Sequence, residues 1–219
     1  MSSNAEPSNL EKYEGQFGSF FITPSDRRSV VIYRAALGVV ALCFCIGTCL
    51  VLWNPQLPVV QASLTYLYWG MAIALGVSLW MIHIYMAALH RALQIFWGVG
   101  VVSSLAVAWM YPEPLVVAIY THATTLLGIG FLFVALTGIF FKEAFCFNRA
   151  ETKLLTPIVP FLLLGHLAAL IPLHVEQVAL GIWAVLMAVF AVRKAVQAIP
   201  PDIGDKSVFD YLRQQRQGA

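Results

Sequence analysis

Gly138-Ile-Phe-Phe-Lys142-Glu143-Ala-Phe-Cys146-Phe-Asn148-Arg149-Ala-Glu151-Thr-Lys153 is the longest polar break in a run that is otherwise apolar from Val30 to Ala198. It mixes four phenylalanines with both signs of charge, and it separates two stretches that read as membrane spans. Working outward from it, uncharged runs of about 20 residues recur on both sides, the length a bilayer core of roughly 30 Å requires. The chain has 219 residues, of which 60% are hydrophobic and only 11% charged. Soluble domains carry about 25% charged residues. The composition therefore describes an all-α membrane protein built as one membrane domain.

The breaks predict six spans. The first runs from Pro24 to Trp53, with Thr23 as N-cap, Pro24 in the first turn and Asp26 near the positive helix end. Its Arg27, Arg28 and Arg34 are expected at the headgroups, Arg34 by snorkelling. The second span is read as Leu64 to Leu89, the third as Ala92 to Met110 after a turn at His90-Arg91, and the fourth as Leu115 to Phe141. The Lys142–Lys153 stretch is read as a loop. Thr156-Pro157 opens the fifth span, which ends near Ile171-Pro172, and the sixth runs from Gln177 to Ala198. Residues 1–23 form a polar N-terminal tail, 24–198 the membrane domain and 199–219 a C-terminal tail. In that last tail Asp205 can cap a short amphipathic helix with Val208, Phe209 and Leu212 on one side.

With six spans, all 13 Lys and Arg fall on one side, leaving only Glu113, His174 and Glu176 in the opposite loops. By the positive-inside rule both termini are cytoplasmic or stromal. No apolar signal-peptide core precedes residue 30, so the first span is expected to serve as its own targeting signal.

Several patterns could carry chemistry. Cys45 and Cys49 share a helix face, but with Gly38 and Ala41 they form a stripe of small residues of the kind that lets helices approach in lipid. No disulfide framework is expected among the 4 cysteines. His122 and His166 lie at similar depth in consecutive antiparallel spans, roughly 10 Å below one surface by helical rise. Paired imidazoles could ligate haem iron, and a single one the magnesium of a chlorophyll; the competing reading is hydrogen bonding to neighbouring helices. His83 and His90 are weaker candidates, and His174 reads as solvated. No Asp, Glu, Lys or Arg lies in the central part of a span, which argues against an ion pump. There is no metalloprotease motif and no phosphate loop, so neither an enzyme nor a nucleic-acid partner is expected. The Lys142–Lys153 stretch reads as a docking surface on the basic face, with Lys142, Glu143, Phe145, Phe147 and Arg149 as its contact residues.

Two stretches carry a family resemblance. One is Gly138-Ile-Phe-Phe-Lys-Glu-Ala-Phe-Cys-Phe-Asn-Arg-Ala-Glu-Thr; the other is Phe21-Ile-Thr-Pro-Ser-Asp-Arg-Arg, ahead of the first span. Together they resemble the integral membrane proteins grouped as "domain of unknown function 2301", over nearly the whole chain. The resemblance implies a cyanobacterial or plastid protein of the thylakoid membrane. It further implies an accessory role in assembling photosystem II, with reaction-centre subunits or other assembly factors as partners beside membrane lipid. The reading is thus of a non-enzymatic assembly or scaffold protein. The alternatives are a pigment- or haem-binding protein using His122 and His166, and a facilitator of small neutral solutes.

Overall fold

The computed structural model describes residues 11–84 and 86–217, without the side chains of Asp210, Leu212, Arg216 and Gln217. A hairpin of β1 (Lys12–Gly15) and β2 (Gly18–Phe21) comes first. The long helices are α1 (Pro24–Trp53), α2 (Pro58–Met81), α3 (Ala87–Met110), α5 (Leu126–Phe147), α6 (Ala150–Leu167) and α7 (Leu173–Val196). Short helices α4 (Leu115–Thr121) and α8 (Pro200–Ile203) and the tail helix α9 (Ser207–Gln217) complete the list. Five segments, α1, α2, α3, Ala123–Phe147 and α7, are long and apolar enough to cross a membrane by length and composition. Helix α6, with 18 residues and prolines 157 and 160 inside it, is not among them.

The long helices pack as a closed ring in the order α1, α2, α3, α5, α6, α7, with α7 returning to α1. The α1–α2 and α3–α5 seams are the most extensive, and the α2–α3 seam is the sparsest. Buried Leu37, Leu75, Ile129, Leu136, Phe140, Met187 and Phe190 belong to one continuous core. Small residues make the seams close. A side chain at Gly100 would meet the Leu132 backbone nitrogen at 2.5 Å, and one at Gly138 would collide with Leu93. Ser104 donates to the Gly100 carbonyl and pairs with Tyr68 across α2 and α3. Cys45 donates to the Ala184 carbonyl of α7, as expected of a packing residue, whereas Gly38 has open space beside it and Cys49 is exposed.

Several boundaries differ from the sequence reading, each for a tertiary reason. Helix α2 begins at Pro58 and stops at Met81, so His90-Arg91 lies inside α3 rather than in a turn. The stop is made from outside the helix: His90 Nε2 donates to the freed Leu79 carbonyl at 2.6 Å. The expected fourth span is broken at His122, which separates α4 from a 3-10 turn over Ala123–Thr125 and from α5. The largest correction concerns the stretch quoted first. It is almost wholly helical: α5 continues to Phe147 and α6 already starts at Ala150, leaving Asn148-Arg149 as the connection. Asn148 turns the chain with φ 51° and ψ 39°, the left-handed conformation that Asn tolerates better than most residues.

The N-terminal tail is also structured from Glu11 onward. The hairpin pairs Lys12 with Phe21 and Gly15 with Gly18, and it docks on the C-terminal segment. Asp205 Oδ2 accepts from Gln16 N at 2.6 Å, Ser207 Oγ accepts from Phe17 N at 3.1 Å, and the Phe17 and Tyr211 rings stack at 4.0 Å. Ile22, Val30 and Ile203 make a small core beneath, joined by Tyr13, Phe20 and Ile199. Asp205 does cap α9, accepting from Ser207 N at 2.9 Å; the Leu212 side chain lies outside the described residues. The hairpin and the α8–α9 segment thus meet at one end of the ring, here termed the terminal end.

Candidate functional site

The terminal end holds a knot of buried charge built from α1, α5, α6, α7 and α8. Lys142 and Glu143 come from the last turns of α5, and Lys194 from the last turn of α7, where a cation suits the negative helix end. Glu143 is fully buried. Its Oε1 accepts from Lys142 Nζ at 2.8 Å and from the Tyr33 hydroxyl at 3.2 Å, and its Oε2 accepts from Lys194 Nζ at 2.7 Å. Lys194, only 1% exposed, also donates to Asp202 Oδ1 at 2.5 Å. Asp202 Oδ2 accepts in turn from Arg34 Nε at 2.8 Å. Arg34 then donates to the Gln197 and Ala198 carbonyls, covering groups that α7 leaves free at its end.

A second layer adds Arg149, whose Nη2 donates to Gln197 Oε1 at 2.5 Å, and Glu151, which accepts from Arg193 at 2.6 Å. Arg149 Nη1 and Glu151 Oε1 are buried without hydrogen bonds and face each other at 3.9 Å. Five cations therefore face three carboxylates in these ion pairs. Part of the excess positive charge lies against aromatic faces. Lys194, Lys142 and Arg149 approach the Phe147 ring centroid to 4.6, 5.3 and 5.7 Å, and Lys194 also lies 5.5 Å from Tyr33.

This arrangement revises the expected docking surface. Lys142, Glu143 and Arg149 are turned inward, because a buried ion needs a partner: Lys142 finds the adjacent Glu143, while Glu143 and Arg149 reach across the bundle to Lys194 and Gln197. Phe147 is the shared ring of the knot. Among the five expected contact residues Phe145 alone is fully exposed, at 83%, and Phe141 stacks on it at 6.5 Å. Arg34 reaches the end of α7, where Asp202 holds it. The sequence reading missed Tyr33, Lys194, Gln197 and Asp202. The available signal was that the basic side also collects Glu143, Glu151 and Asp202, more acid than topology needs.

At the opposite end each of the two histidines singled out in the sequence meets a carboxylate. His122 Nε2 lies 3.1 Å from Glu113 Oε1, and its ring stacks on Tyr111 at 4.3 Å. His166 Nδ1 lies 2.8 Å from Glu176 Oε1, its Nε2 lies 3.1 Å from the Tyr120 carbonyl, and its ring lies against Tyr120 at 4.8 Å. With both ring nitrogens engaged, His166 presents no lone pair to haem iron or to a chlorophyll magnesium in this conformation. Carboxylate partners were unforeseen because Glu113 and Glu176 sit in loop-like sequence, 9 and 10 residues from their histidines. His90 is used in capping α2, and burial pushes the half-buried His83 imidazole down from its usual value. Among the described residues no group of three or more His, Cys, Asp or Glu could hold a metal ion.

Among known proteins, the family described as "Uncharacterized integral membrane protein (DUF2301)" has a model that matches residues 77–211, more than half of the chain. No curated protein and no solved structure matches.

Proposed function

The chain belongs to the DUF2301 family of integral membrane proteins, and from that premise we propose that it is a non-enzymatic scaffold that holds a partner membrane protein during assembly. The observation that carries this reading is the division of labour at the terminal end. The charged groups are spent inward on the knot, which ties four long helices and α8 together, while Phe141 and Phe145 project outward as an aromatic ridge. Rigid aromatic anchors on a braced support are what a docking surface needs. The outer faces of the ring, with exposed Leu42, Ile73, Val102 and Val185, supply apolar flanks for lipid or for partner helices.

In this proposal α6 is the sixth span, supported by its place between α5 and α7 in the ring. Both termini are cytoplasmic or stromal, supported by the basic residues gathered at their end. The resemblance given above supplies the finer identity: a thylakoid membrane, and early photosystem II reaction-centre complexes as the partner. Affinity capture of the tagged protein from solubilised membranes tests the proposal. Photosystem II reaction-centre subunits should co-purify, and recovery should fall several-fold in a Phe141→Ala/Phe145→Ala variant that keeps its melting temperature. Capture of the protein alone would sink the scaffold reading. Partners other than photosystem subunits would retain the scaffold and remove the photosynthetic identity.

A further inference from the structure

The contact between His166 and its neighbours has a proton requirement that follows from hydrogen-bond arithmetic. A backbone carbonyl only accepts, so the nitrogen facing Tyr120 O must carry hydrogen. The other nitrogen faces Glu176 Oε1, and an ionised carboxylate also only accepts. Both contacts are made together only if the pair holds one proton more than a neutral imidazole and an ionised carboxylate hold. Whether that proton sits on Nδ1 or on Oε1, the count is the same. The His122–Glu113 contact differs, since a neutral imidazole with hydrogen on Nε2 satisfies it.

The proton adds a link at the end of α4, a helix that packs on α2 and α3 through buried Leu115 and Ala118. This seven-residue helix is isolated on one side by Pro112 and Pro114 and on the other by the break at His122. The break leaves the last carbonyls of α4 without helical donors, and His166 caps one of them; a cationic ring suits that negative end. Tyr120 adds its hydroxyl to Glu176 Oε2 at 3.4 Å. One residue of α6 thereby ties α4 to α7. The groups facing His166 are Glu176 from α7 and Tyr120 from α4. The 3-10 turn contributes only Ala123, Thr124 and Thr125, and α5 carries Lys142, Glu143 and Cys146 at its far end. The His166 and Glu176 side chains are 21% and 16% exposed.

We propose that His166, Glu176 and the Tyr120 carbonyl form a one-proton clasp that ties the C-terminal end of α4 to α6 and α7 while the proton is bound and lets that end go as the pH rises. Loss of the proton leaves a nitrogen lone pair facing an oxygen acceptor, and the bond to Glu176 or the bond to α4 is lost. The segment from Tyr111 to Thr125 is then a pH-gated element on the face opposite the knot.

Backbone hydrogen exchange across residues 111–125 of the full-length protein in nanodiscs, corrected for intrinsic base catalysis, tests this. Protection should be flat at acid pH. Above a transition it should fall about tenfold per pH unit, the slope of a single linked proton. In His166→Gln that slope should vanish. Protection independent of pH in the native protein, or an unchanged slope in His166→Gln, would overturn the clasp. Should the variant fail to fold, the 15N histidine spectrum of the native protein decides: the ring-nitrogen shifts of one imidazole must change at the exchange midpoint, through loss of a ring proton or of the carboxyl proton donated to Nδ1, and a midpoint at which none of the histidines changes refutes the proposal.

Discussion

Glu143 shows what a single residue does in this bundle. It receives Lys142, Lys194 and Tyr33 on two oxygens inside the protein. Removing one member of a buried ion set leaves the others charged and unpaired, at a cost of roughly 3–5 kcal/mol. Glu143→Gln should lower stability by about that much, read as the midpoint shift in a denaturant titration in detergent. Adding Lys194→Met to it should cost less than the sum of the two single changes, because the second removes a charge the first had stranded. Strict additivity would mean that the two residues do not act on each other. A gain is available at Ala169. It occupies the left-handed position, φ 53°, that ends α6, with Leu170 N bonded to Gly165 O and Ala169 N to His166 O. Glycine is the usual residue there, so Ala169→Gly should stabilise by about 0.5–1 kcal/mol in the same titration.

Between elements, two contacts give separate expectations. At the α3–α5 seam the neighbour of Gly100 is backbone, which cannot swing aside as a side chain can. Gly100→Ala should therefore cost about 1–3 kcal/mol and lower the melting temperature; an unchanged melt would show that the seam has slack. The hairpin's hold on the tail is pH-dependent. The hydroxyl of Ser207 first, with the backbone of Gln16 and Ser207, holds the Asp205 carboxyl below its usual value. A depressed carboxylate contributes to docking above its unfolded value of about 3.9, and the contribution is lost as pH falls through the lower folded value. Proteolysis between Glu11 and Phe21 should accelerate below about pH 4, and Asp205→Asn should show the fast cutting already at neutral pH. How far the sequence was legible also shows at this scale. Pro24 and Asn54 mark helix ends by their own backbone chemistry, so those boundaries were readable, whereas α6 ends at Leu167 before the expected Ile171-Pro172 and α7 starts at Leu173 before the expected Gln177. The end of α2 depends on His90, and the break after α4 lies where His122 meets Glu113 and Tyr111; neither is a property of the local chain. The quoted stretch misled for a related reason. Charges in an apolar sequence suggest a water-facing loop, yet Glu143 meets partners 51 residues or more away, at Lys194 and Tyr33. The docking residues could be named by type; which of them face outward depends on that distant pairing.

Over the whole molecule, the ring is closed by α7 returning to α1, and the same junction is locked by Arg34, Lys194 and Asp202. Deleting residues 199–219 takes away Asp202 and leaves Arg34 and Lys194 one carboxylate short. The truncated protein should lose at least as much stability as Asp202→Asn, roughly 3–5 kcal/mol, measured by thermal inactivation of the solubilised monomer peak. Equal stability of truncated and full-length chains would show that the knot does not brace the ring. The knot also has an order in time. Synthesis runs from the N-terminus, so Arg34 enters the membrane region first, Lys142 and Glu143 follow, and Lys194 and Asp202 emerge only near the end. Until then Arg34 waits without its carboxylate, and Lys142 and Glu143 have only each other. A chain without Lys194 and Asp202 therefore carries a visible mark of its unfinished state, which their arrival erases.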